Sequence, residues 1–267
     1  MSKVFVNIGL SLDGYLAPEG MTMGRPDYKN WGVKWGALMG WIFNQQYFRQ
    51  NLKLGPGGET GPVNDMLRST TERIGANLMG KRMFDQGEVA WPEEAPFHTP
   101  VYVLTHEKRE PWERPGGTTF HFINDGPLRA LELARASAGS RDIRIAGGAD
   151  VIQQYLNLGV VDELEIALAP VMFGGGRRLF ENLSEPLPQF RIDRVLVSPS
   201  SRPTESAGRG VVARWSQVIG VLVPAKQARP ACCAATSQSL PGMAPRVRCL
   251  RTDRLAVWAR PCRPAST

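Results

Sequence analysis

Ile143-Arg144-Ile145-Ala146-Gly147-Gly148-Ala149-Asp150-Val151-Ile152 changes its hydrophobic period in the middle. Its first four residues read as a short strand rich in β-formers. Beyond Gly147-Gly148, Val151, Ile152, Tyr155 and Leu156 recur at helical spacing until Gly159 stops the helix. A strand that passes through glycine directly into a helix is the repeating unit of an α/β sheet. Working outward, Ala76-Asn77-Leu78-Met79 runs into Gly80-Lys81-Arg82-Met83 in the same way. Pro100–Thr105, Thr118–Ile123 and Leu164–Met172 read as further strands, and Val4–Ile8 as one that ends at the Asp13-Gly14 turn. Asp125 with Pro127 marks the start of a helix that ends near Gly139. This alternation predicts an α/β domain with a largely parallel sheet.

Two segments stand apart from that pattern. Residues 20–61 are dense in Trp and Gly, with Trp31, Trp35 and Trp41 in or near a helix running to about Leu52 and a loop at Gly55-Pro56-Gly57-Gly58. They read as an excursion around an opening, in which glycines such as Gly36 are not expected inside helix. After about Ser198, Arg, Pro, Ala, Ser, Cys and Gly dominate and the alternation is lost. The reading is therefore a domain over 1–198 and a basic, disordered tail over 199–267 that adds nothing to the chemistry.

The chain has 267 residues and a formal charge of +7. Ser201–Thr267 holds ten Arg and one Lys against Glu205 and Asp253, a net of +9, so the preceding 200 residues carry −2. The charge balance thus gives no ground for a nucleic-acid partner of the domain. All four cysteines lie in the tail at spacings that match neither a zinc module nor a disulfide framework. The N-terminus lacks the features of a signal peptide, and no apolar run is long enough to span a bilayer. A cytoplasmic protein with a small-molecule substrate and no membrane partner is expected.

His98, His106 and His121 have no ligand-like neighbours at helical spacing, so no metal site is expected. No Ser lies in a G-x-S-x-G elbow, and the domain has no Cys. Gly208-Arg209-Gly210-Val211-Val212-Ala213 fits the dinucleotide fingerprint, but no strand precedes it. Chemistry carried by a bound coenzyme remains, with hydride transfer the leading case. The two glycine turns are its candidate seat. Helix N-termini offer unpaired N–H groups to phosphates, Lys81 and Arg82 add positive charge, and glycine lets a backbone approach a ligand. The alternative is that strand-to-helix turns favour glycine for their own geometry.

Ser11-Leu12-Asp13-Gly14-Tyr15-Leu16-Ala17, Met79–Phe84, Val101–Thr105, Arg144–Ala149 and Leu168–Phe180, in that order, resemble the reductase domain of bacterial bifunctional riboflavin deaminase-reductases and the dihydrofolate-reductase family around it. The resemblance covers about residues 1–197, without the zinc motif of the deaminase half. It implies a dihydrofolate-reductase-like three-layer α/β fold, a mixed, mainly parallel sheet flanked by helices, with NADPH across the strand ends. On that resemblance Gly80, Lys81, Arg82 and Met83 hold phosphates, with Arg82 or Lys81 meeting the 2′-phosphate. Thr105 and His106 meet the adenosine ribose or its phosphate. Gly147, Gly148, Ala149, Asp150 and Val151 line the pyrophosphate and nicotinamide, around a Gly-Gly peptide that is cis in some members. Asp13 stands at the substrate mouth, binding a hydroxyl or supplying a proton, unless Asp13-Gly14 is simply a turn. Gly14, Gly175, Gly176 and Arg177 either close over the substrate or link two strands. The acceptor implied is a 5-amino-6-(5-phosphoribosylamino)uracil-type compound of riboflavin biosynthesis, with a pterin or dihydrofolate next. A non-catalytic NADPH-binding sensor is the other reading, and a homodimer is expected.

Overall fold

The computed structural model describes residues 2–21, 28–198 and 217–224. The chain begins with β1 (Val4–Ser11) and β2 (Tyr15–Pro18), then α1 (Tyr28–Phe43), α2 (Gln46–Asn51) and α3 (Pro62–Glu72). The strand β3 (Ile74–Gly80) leads into α4 (Lys81–Glu88), followed by β4 (Val101–Leu104), β5 (Trp112–Arg114) and β6 (Thr118–Ile123). Next come α5 (Pro127–Ala138), β7 (Asp142–Gly147), α6 (Ala149–Asn157), β8 (Glu163–Ala169) and β9 (Gly176–Arg178). The last strands are β10 (Phe190–Ser198) and β11 (Gln217–Pro224).

Nine of these strands form one sheet in the order β10-β11-β8-β1-β7-β3-β4-β6-β5. The six from β8 to β6 run parallel, so all their carboxyl ends meet one rim. The edges are antiparallel: β5 against β6, and the β10–β11 pair against β8. The central strands are covered on both faces and so are near-continuously apolar, and β3 is buried at every residue.

Alternation along the strands sends side chains to two cores. On one face Val4, Val6, Leu78, Ile143 and Ile145 pack with Leu131, Ala134, Ile152 and Tyr155, which belong to α5 and α6. On the other, Met79, Val101, Val103, Phe120 and Ala146 pack against Phe84 of α4. On that second face Val63, Met66 and Leu67 of α3 join Ala167 of β8 and Ile219 of β11. The result is helix, sheet, helix: the three-layer fold that the sequence implied.

Three expectations change. The segment Gln217–Pro224, assigned to a disordered tail, is a strand between β10 and β8, with Ile219 and Val221 buried. Its apolar run Val218–Val223 fills a gap in the sheet, so the folded unit extends at least to Pro224. The remainder of the tail, with its four cysteines and the Gly208–Ala213 motif, lies outside the described residues. Within 20–61, Gly36 and Gly40 sit inside α1, where no neighbour approaches their missing side chains. At α5 the N-cap is Gly126, at a φ of +90°, rather than Asp125, and Pro127 occupies the first turn.

Candidate active site at the carboxyl rim

Strands β3 and β7 are hydrogen-bonded neighbours, with Met79 opposite Gly147. From the end of β3 the chain enters α4 on one face and pairs next as β4. From the end of β7 it enters α6 on the opposite face and pairs next as β8, beyond β1. Here the strand order reverses, and open α/β sheets bind ligands in the crevice at such a point. The two glycine turns of the sequence therefore stand side by side at one rim.

Their glycines serve different ends. A side chain on Gly147, at φ +142°, would come within 2.9 Å of the Met83 sulfur, and one on Gly80 within 2.9 Å of the Val151 side chain. Each turn thus admits a side chain from the other turn's helix, and Met83 and Val151 brace the junction from both sides. Gly148, the N-cap of α6, has nothing within 4 Å of its missing side chain. It leaves an open space beside the first N–H groups of α6, a cradle that any Cβ would enter. The Gly147–Gly148 peptide is trans.

Charge is arranged around this cradle. Arg82 and Asp150, both exposed, reach across the two helix starts at 3.6 Å. At that exposure the pair contributes little to stability. Lys81 is more committed: it bonds Asp85 at 2.6 Å and Glu107 at 3.3 Å, and the Asp85 hydrogen bond holds its ammonium above the usual range against the effect of burial. Glu107 brings in the loop after β4, where the Thr105 N–H donates to the Ile123 carbonyl and the Thr105 hydroxyl accepts from the Glu107 N–H. His106 is exposed beside it. Next to this loop opens a hollow of about 290 Å³ lined by Lys108, Arg109, Glu110, Phe122 and Asn124. Sequence reading missed these residues, although the charged run from His106 to Arg109 was their signal. Arg109 is tied to Glu88 at 2.6 Å and covers the Phe122 ring.

Asp13, at the end of β1, is occupied. Its carboxylate accepts the Ser11 hydroxyl at 2.6 Å, the Phe173 N–H at 3.1 Å and the Gly174 N–H at 2.7 Å. Burial alone raises its pKa, but these bonds from Ser11, Gly174 and Phe173 outweigh it and hold the carboxyl down to about 2. A group held this acidic is ionised throughout the neutral range, so in this arrangement it accepts hydrogen bonds. Its visible task is to fix the 172–174 loop. Gly14, at φ +85°, makes the turn, and its carbonyl accepts the Leu179 N–H at 3.0 Å.

Gly175, Gly176 and Arg177 lie where that loop becomes β9, which pairs with β2 in a separate two-stranded sheet. A side chain on Gly176 would strike the Ala17 carbonyl at 2.1 Å, so this glycine serves strand pairing. Gln153 of α6 donates to the Arg178 and Leu179 carbonyls, tying β9 to the glycine turns. Helix α1 borders the same corner: Leu38 is buried with Tyr15, Ala169 and Phe173, and the Lys34 ammonium donates to the Phe173 carbonyl. Thus Gly80–Met83, Thr105–His106 and Gly147–Val151 lie along one rim, while Asp13, Gly14 and Gly175–Arg177 form a wall held together by hydrogen bonds and strand pairing.

Three layers around a mainly parallel sheet, with paired glycine turns where the strand order reverses, make up a dihydrofolate-reductase-like fold. The chain belongs to the RibD C-terminal domain family, which it matches over residues 2–199. It is 38% identical over 150 residues to the uncharacterized protein YyaP of Bacillus subtilis, covering 54% of this chain and 76% of that one. Among solved structures it is similar to a protein of Shewanella sp. PV-4 provisionally assigned to riboflavin biosynthesis, at 20% identity and a TM-score of 0.51, covering 85% of this chain and all of the other. A Thermotoga maritima diaminohydroxyphosphoribosylaminopyrimidine deaminase/5-amino-6-(5-phosphoribosylamino)uracil reductase follows at 13% and 0.48, covering 84% of this chain and 57% of that one. At these identities the structural likeness concerns the fold alone.

Proposed function

We propose that this chain is an NADPH-dependent reductase that delivers hydride to a carbonyl or imine carbon of a small acceptor. The observation that carries this reading is the open cradle at Gly148, beside the N-termini of α4 and α6 on neighbouring strands. The residues fit a phosphorylated dinucleotide. The α6 N-terminus and Gly148 would hold the pyrophosphate, and Arg82, freed from Asp150, a phosphate. Thr105, His106 and the Lys108–Asn124 hollow would take the adenosine end. Bound there, NADPH supplies the hydride. The chain's own part is to orient the reactants: Met83 and Val151 fix the two turns, while Asp13 sets the loop that walls the acceptor side.

Family membership makes a 5-amino-6-(5-phosphoribosylamino)uracil-type compound the first acceptor to offer. The experiment follows loss of NADPH absorbance with that compound and with dihydrofolate. Acceptor-dependent oxidation supports a reductase. Saturable NADPH binding with no oxidation by either would favour the sensor reading, and no binding of NADPH or NADH would overturn both.

A further inference from the structure

A second cavity lies away from the rim. It measures about 60 Å³ and is walled mainly by apolar side chains, among them Ile42, Phe48 and Leu67, with Asn7 of β1, Arg144 of β7 and Thr70 of α3 as polar members. Its roof is built by the 20–61 segment. Arg144 and Asn7 face the same side of the sheet as α3, toward the start of the strands.

Arg144 is the unusual member. Its Nε is sealed from solvent and has no hydrogen-bond partner, and the guanidinium makes no ion pair within 4.0 Å among the described residues. Glu165 acts on it only at longer range, without contact. Glu165 spends its carboxylate on Arg73 at 3.1 Å, Asn7 at 2.9 Å and Thr70 at 3.1 Å. Burial pulls the Arg144 pKa down to about 10, partly offset by Glu165, so the side chain stays cationic near neutrality. A largely desolvated cation without an anion in contact is costly, and replacing such a group by an apolar side chain commonly stabilises a protein. A fold that keeps one beside a cavity has the chemistry of an anion receptor. The volume exceeds the share of a single water, roughly 30 Å³, and suits an oxyanion of a few heavy atoms.

We infer that this cavity is a binding site for a small oxyanion, a carboxylate or phosphate group, with Arg144 as its anchor. The site is independent of the coenzyme cradle.

The test is thermal unfolding of the full chain, wild type and Arg144→Met, titrated with inorganic phosphate, with acetate, and with chloride at matched ionic strength. Expected is a rise in wild-type Tm of about 3 °C at tenfold excess over the dissociation constant. Phosphate or acetate should give it, chloride should not, and the variant should lose it. A shift with phosphate alone identifies a phosphate site, and one with acetate alone a carboxylate site. The anion-free variant should melt at or above the wild type. Should it fail to fold, Arg144→Lys must keep a weakened anion response. Equal shifts in wild type and variant, or none in the wild type, would overturn the inference. NADPH affinity should be unchanged by Arg144→Met, which keeps this result separate from the reductase proposal.

Discussion

Asp13 shows what a residue type reveals and what it hides. Its position after a strand made it a candidate acid, but only coordinates show three donors already converging on it. Those donors sit about 160 residues away as well as two, so no local pattern could announce them. Because the folded pKa lies at about 2, below the ordinary 3.8, the stability that Asp13 contributes is fully present above pH 3.8 and is lost as pH falls through 2. Asp13→Asn should cost about 1–2 kcal/mol near neutrality, read as a lower urea midpoint. The gap between wild type and variant should close as pH falls from 4 toward 2. A gap that stays constant over that range would remove the carboxylate from this role. Arg82 lies at the other extreme: it is exposed and loosely paired at the start of α4, and its pairing with Asp150 across the two helix starts left no trace in the sequence.

At the scale of elements, the two glycine turns were the most legible part of the chain, because a strand period, a glycine and a helical period follow one another within ten residues. The sequence could not tell apart Gly147, which admits Met83, from Gly148, which faces open space. That difference yields a pair of expected outcomes. Gly147→Ala, strained by φ and crowded by a sulfur, should destabilise the protein by about 1–3 kcal/mol. Gly148→Ala, which meets no neighbour but stands at φ 17° and ψ 151°, should cost less stability than Gly147→Ala and in addition weaken NADPH binding. Parallel thermal melts and coenzyme titrations decide it. If both variants merely melt early, the cradle is a packing device. Strand β11 was the least legible element, since Val218–Val223 is a short apolar run surrounded by residues of tail-like composition. Only pairing with β8 and β10, which are distant in sequence, gives it a place.

Across the whole molecule, the sheet order rather than any motif creates the site. Parallel strands bring their carboxyl ends to one rim, and right-handed crossovers in two directions put α4 and α6 on opposite faces. The alternation of elements foretold the α/β layers, but not which strands become neighbours. The antiparallel β10–β11 edge now bears on stability. A chain ending at Ser198 exposes the flank of β8 and loses the cover that Ile219 gives Val63 and Leu67. It should aggregate or melt well below the full chain, whereas one ending at Lys226 should keep the sheet. Equal melting of the two would deny β11 its structural part.

The most direct test of the central claim is calorimetric titration of NADPH into the purified chain and its Arg82→Ala variant. The account predicts saturable binding with a dissociation constant on the order of micromolar, weakened about tenfold or more by loss of a charge-assisted phosphate contact. Absence of binding, or binding indifferent to Arg82, would contradict it.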